Sequence, residues 1–269
     1  MKALILTVAA GLVISASASA QTPNTVFLDE LTWMEVADKI DAGTTTIIVA
    51  TAGTEQNGPH MVLGKHKFIV TETAERIARA LGNALVAPIV TYVPEGTVER
   101  TEGNRQRTGT ITLPNEHYMK LLEYTARSLV AGGFSDIVFI GDSGGNRSGM
   151  ENVATALSAR WAGDAAAIHI PEYYRAPPGT PNVLRDLGVT KEGMPDDGLH
   201  DNPAITLNMM LDDPRSVRWA ARVATRQAVI NGVSIADLGR SLELAKKVSD
   251  ARAKRTAEVI RKRIAEQGR

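Results

Sequence analysis

Four short runs of apolar and β-branched residues recur along the chain: Thr45 to Ala52, Leu85 to Thr91, Asp136 to Gly141 and Ala166 to Ile170. None alternates cleanly between apolar and polar, and unbroken apolar runs of this length are what strands show when both faces of their sheet are covered. Between the runs the period changes. Val70, Ala74, Ile77, Ala78 and Leu81 fall on one helical face, and Tyr118, Leu121, Leu122, Thr125, Leu129 and Val130 fall on another. Strand, helix, strand, helix predicts an α/β fold with a mostly parallel sheet and helices on both faces. Past Ile170 the pattern loosens into a stretch rich in Pro, Gly and Asp, from Pro171 to Asp201, which is long enough to be a functional loop region. A final amphipathic helix is predicted over about 238–267. No repeat, low-complexity linker or composition break divides residues 21–269, which read as one domain.

The first twenty residues are of another kind. Lys2 is followed by an apolar stretch from Ala3 to Ile14 and a small-residue run ending Ala18-Ser19-Ala20. That order marks a secretory signal peptide over 1–20, and the apolar stretch is shorter than the roughly 20 residues a spanning helix needs. The expected mature chain is exported, periplasmic or secreted, and makes no membrane contact once cleaved. The whole chain of 269 residues carries 30 Lys+Arg against 30 Asp+Glu and has no cysteine. Neutral charge argues against a nucleic-acid partner, whose binding rests on clustered excess cations. The absence of cysteine excludes disulfides, thiolate metal sites and thiol nucleophiles.

Candidate chemistry concentrates in three places. Directly after the first strand, the segment from Thr54 to His66 holds Glu55, His60 and His66 among glycines. Loops at the carboxyl ends of parallel strands form the ligand crevice of open α/β folds, and carboxylate with imidazole suits zinc or manganese. The same segment also reads as a polar loop that caps the next helix. After the third run, Gly141-Asp142-Ser143-Gly144-Gly145 matches the nucleophile motif of trypsin-like proteases. Those enzymes are all-β barrels, so here the match reads as a strand-to-helix turn. The third place is Asp196 to Asn202, where His200 stands among carboxylates as a ligand, a proton shuttle or a surface residue.

In this order the clusters resemble the creatininase (creatinine amidohydrolase) family, from about Phe27 to Gly239. The resemblance rests on Ala52 to His60, on Gly109-Thr110-Ile111-Thr112-Leu113, on Gly141 to Asn146, on Leu199 to Asn202, and on Leu31-Thr32-Trp33. It implies a creatininase-like single α/β domain and a centre of two divalent ions held by a glutamate, two histidines, a bridging aspartate and a second glutamate. Of those five positions only Glu55 is unchanged. Asn57 and Ser143 stand where the family has histidines, His66 where it has the bridging aspartate, and Gly145 where it has the second glutamate.

With these substitutions, the resemblance implies a secreted amidohydrolase that cleaves a cyclic or other small amide C–N bond with a metal-activated water. One divalent ion, zinc or else manganese, would be held by Glu55, His66 and Asp142 or His60. Glu55 and His200 would be catalytic, His200 handing a proton to the departing nitrogen. The partner would be a small-molecule amide, and the resemblance suggests a homo-oligomer. The rival expectation is a metal-free binding protein on the same fold.

Overall fold

The computed structural model describes residues 23–99, 108–176, 180, 183–190 and 201–268. After α1 (Trp33–Asp41), which Thr32 caps through a reciprocal bond with Glu35, the chain enters β1 (Thr46–Thr51). Then follow α2 (Lys65–Leu81), β2 (Ala84–Val86), α3 (Asn115–Ala131), β3 (Asp136–Gly141), α4 (Arg147–Trp161) and β4 (Ala166–His169). The strands pair in the order β2-β1-β3-β4, all parallel. The predicted strand at 85–91 is cut to three residues: Ala87 N still donates to Ile48 O at 2.9 Å, but the next bond to β1 runs from Val90 N to Ala50 O at 3.0 Å, so the ladder slips out of register around Pro88 before Val90 bridges to Thr51.

Alternation along β1 sends its side chains to two cores. Ile48 and Ala50 pack with Val70, Ala74 and Ile77 of α2 and with Ala253, Ala257 and Ile260 of the last helix. Ile47 and Val49 pack with Tyr118, Leu122 and Ala126 of α3 and with Met150, Val153 and Leu157 of α4. The buried face of α3 is thus turned slightly from the expected one, and Leu121 stays exposed. A sheet covered on both faces is the predicted α/β architecture.

The remaining elements are α5 (Val183–Asp186), α6 (Pro203–Asp212), α7 (Trp219–Ala224), the hairpin β5 (Val229–Ile230) and β6 (Val233–Ser234), and α8 (Leu238–Ala265). They build a third core in which Ile69 of α2 meets Leu207 and Met209 of α6 and Val248 of α8. The consequence for function lies in the register of β1 and β3. Thr51 is opposite Gly141, so the loops after these strands open at one edge of the sheet.

Candidate functional site

The segment after β1 is fixed by its own backbone before it presents any side chain. Ile111 N donates to Thr54 O at 2.9 Å and Glu55 N to Leu63 O at 3.1 Å, while Gln56 N donates to Thr110 Oγ1 at 3.1 Å. The Asn57 amide donates to the carbonyls of Glu55 at 2.9 Å and Val62 at 3.1 Å. Asn57 therefore braces the loop from inside. The loop delivers Glu55 to the sheet edge and leads into α2, whose first two residues, Lys65 and His66, are buried there.

Five side chains then form one line of alternating charge. Lys65 Nζ donates to Glu55 Oε1 at 2.8 Å, and His66 Nε2 meets the same oxygen at 2.9 Å. His66 Nδ1 meets Asp142 Oδ2 at 2.9 Å, and Arg252 of α8 reaches Asp142 Oδ1 at 3.3 Å. An imidazole with a carboxylate oxygen at each nitrogen is held as the doubly protonated cation. Burial works against that charge, but the hydrogen bonds to Asp142 and Glu55 outweigh it and raise the His66 pKa to about 9. Burial likewise pushes Glu55 up, and His66 with Lys65 outweighs it, holding the carboxyl at about 2. Two cations in the first turn of a helix oppose its dipole; Glu55 and Asp142 offset that here.

A sixth residue, Glu95, escapes the reading of the sequence. A Cβ placed on Gly53 would lie 1.7 Å from Glu95 Oε1, and one placed on Gly145 would lie 2.5 Å from the carbonyl oxygen of Pro94. The Pro94-Glu95 loop thus lies directly against both strand ends, and no side chain fits at Gly145 without displacing backbone. The position where the resemblance would put a second glutamate is given over to a neighbouring segment that brings its own. Glu95 Oε1 is buried with no hydrogen-bond partner. Burial first, and the nearby Glu55 charge second, raise its pKa; hydrogen bonding by Ser143 works the other way. The signal in the sequence that points to Glu95 is its place just past the run at 85–91, a strand end beside those of β1 and β3.

The structure therefore brings Glu55, His66 and Asp142 together. It does not bring His60 to them: a turn closed by Met61 N to Gly58 O carries His60 outward, where its Nε2 lies 2.8 Å from Gln227 Oε1. His200 lies outside the described residues, as do Asp196, Asp197 and the signal segment 1–20. Its neighbour Asp201 accepts from buried Arg222, whose Nη2 reaches both carboxylate oxygens at 2.9 and 3.0 Å, and packs against Gly58. Ser143 faces the Glu95 carboxyl, and the nearby imidazole, His66, has both nitrogens engaged.

These residues do not fit the expected metal ion. Among the described residues no three His, Asp or Glu side chains are grouped to hold one. His66 has no free nitrogen, since each lies 2.9 Å from a carboxylate oxygen. The Lys65 ammonium, 2% exposed, already occupies the inner side of Glu55.

A sequence profile of the creatininase family, described as creatinine amidohydrolase, matches residues 29–257. A creatinine amidohydrolase of Pseudomonas putida is 27% identical over 115 residues, 43% of this chain and 44% of that one, so the match spans less than half of the relative's length. A solved manganese creatininase superposes with a TM-score of 0.64 at 19% identity, covering 89% of this chain and 98% of that one. A mutant creatininase complexed with creatine gives 0.65 at 20%, covering 89% and 98%.

Proposed function

This chain belongs to the creatininase family, and from that premise we propose that it is an exported amidohydrolase of small amides, cyclic ones included, that works with protein cations in place of a metal. The observation that carries the reading is the Lys65-Glu55-His66-Asp142 line at the strand ends, with the unpartnered Glu95 carboxyl oxygen beside it. Amide hydrolysis needs positive charge where the carbonyl oxygen becomes an oxyanion, a base for the attacking water and a proton for the leaving nitrogen. Lys65 and His66 supply the charge. Glu95 takes a proton from water as the oxygen adds to the carbonyl carbon. It returns that proton to nitrogen as the C–N bond breaks, leaving a carboxylate and an amine. A raised carboxyl pKa suits this double role.

The test is amine release from a panel of linear and cyclic amides by the mature protein, assayed with and without a chelator. Turnover is expected to survive chelation and to fall about a hundredfold or more in Glu95→Gln. Loss of turnover on chelation would overturn the metal-free part. One observation favours the second reading, a binding protein without catalysis: Glu55, His66 and Asp142 already satisfy one another. No turnover of any amide in a folded protein would decide for it. Cleavage after Ala20, read by intact mass, tests export.

A further inference from the structure

Beside the Glu55-His66-Asp142 line lies a second charged feature that the proposed chemistry does not use. Arg252 and Arg255 stand three residues apart on α8, which puts them on neighbouring parts of one helix face. Both line a cavity of about 320 Å³ whose walls include Tyr173, Tyr174, Leu184 and Val248. Arg252 is well partnered: it bonds Asp142 at 3.3 Å and its guanidinium carbon lies 5.4 Å from the centre of the Tyr173 ring. Arg255 is not. Among the described residues it has no ion pair, and its Nε is buried without a hydrogen-bond partner. Burial, then the neighbouring Arg252 charge, lower its pKa, so the pair repels. Arg147 lies over Tyr174, its guanidinium carbon 5.9 Å from the ring centre, and its Nε is also buried and unpartnered.

We propose that this cavity is an anion subsite, and that it holds the carboxylate of a small organic acid. Used by a substrate, a role that rests on the amidohydrolase reading, it would select amides that carry a carboxylate. A guanidinium fork matches a carboxylate in two parallel hydrogen bonds, and an anion between Arg252 and Arg255 relieves their repulsion. Leu184 and Val248 offer an apolar wall to an aliphatic body. Arg252 fixes the distance to the chemistry, because the same side chain that lines the cavity bonds Asp142. A carboxylate held there leaves the rest of a small ligand adjoining the Asp142-His66-Glu55 line.

The probes are N-acetylglycine and its neutral analogue N-acetylglycinamide, titrated calorimetrically into the mature protein and into Arg255→Gln. The acid is expected to bind the unchanged protein more tightly than the amide, and to lose about tenfold or more in Arg255→Gln. The amide is expected to bind both proteins alike. Without anion, Arg255→Gln is expected to unfold at an equal or higher temperature, because it removes a like-charge neighbour of Arg252. Arg255→Lys keeps the charge without the fork and is expected to fall between the two. Equal binding of acid and amide, no binding of the acid, or an acid affinity unchanged in Arg255→Gln would each overturn the subsite. The titrated acid is checked by mass spectrometry to be intact, so that the heat reads binding; acid binding through Arg255 together with no turnover of any amide would overturn the hydrolase reading and leave the subsite standing.

Discussion

Gly145 shows how much one missing Cβ can decide. The carbonyl oxygen of Pro94 lies 2.5 Å from where that atom would be, and a backbone oxygen tied into a loop does not step aside as a side-chain tip does. Gly145→Ala is therefore expected to cost about 1–3 kcal/mol by urea unfolding, the range of overpacking. Gly145→Glu, which restores the residue type suggested by the family resemblance, is expected to cost at least as much and to create no metal affinity. Tight stoichiometric zinc binding by Gly145→Glu would contradict this. At this scale the sequence was partly legible. The substituted ligand positions could be read directly, as could the meeting of Glu55, His66 and Asp142, since both loops follow adjacent parallel strands. That Lys65 turns inward could not, because a lysine at a helix start is ordinarily solvated. Glu95 was hidden because its position depends on two glycines, Gly53 and Gly145, that are far apart in the chain.

Among the elements, α8 carries the most. It packs Ala253, Ala257 and Ile260 onto the sheet and Val248 into the third core, while Arg252 and Arg255 reach the cavity. Its start is secured by Asp237, whose carboxylate accepts from Arg240 N at 3.0 Å. Asp237→Ala is expected to cost about 1 kcal/mol, and Ile260→Ala, at a fully buried position, about 2–5 kcal/mol. Equilibrium unfolding in urea distinguishes the two, and equal costs would mean that the end of α8 is not anchored as described. Helices α2, α3 and α8 and three of the strands are legible because period and length agree over many residues, whereas the shorter α1, α5, α6 and α7 are not. The strand at 85–91 is shorter than the apolar run suggests, since such a run fixes burial but not the register of ladder hydrogen bonds, which slips around Pro88.

For the whole molecule, the charged line at the sheet edge sets a pH window. The Glu55 pKa is lowered from 4.5 to about 2, so its contribution is complete above 4.5 and is lost as pH falls through 2. The His66 pKa is raised from 6.5 to about 9, so its contribution is complete below 6.5 and is lost as pH rises through 9. The joint contribution of Glu55 and His66 to thermal stability is expected to be greatest between about 4.5 and 6.5. The alkaline decline is on the order of 3 kcal/mol, and it is expected to flatten in His66→Gln. A decline of equal size in that variant would assign it to other groups. The Lys65 ammonium beside Glu55 has a further consequence. A positive charge made of protein arrives with the chain. It needs no loading step, no chelator can strip it, and no wrong ion can take its place. On the metal-free reading proposed above, the centre assembles as the chain folds, once α2 meets the loops that carry Glu55, Asp142 and Glu95 at the sheet edge, whatever the supply of metal around the molecule.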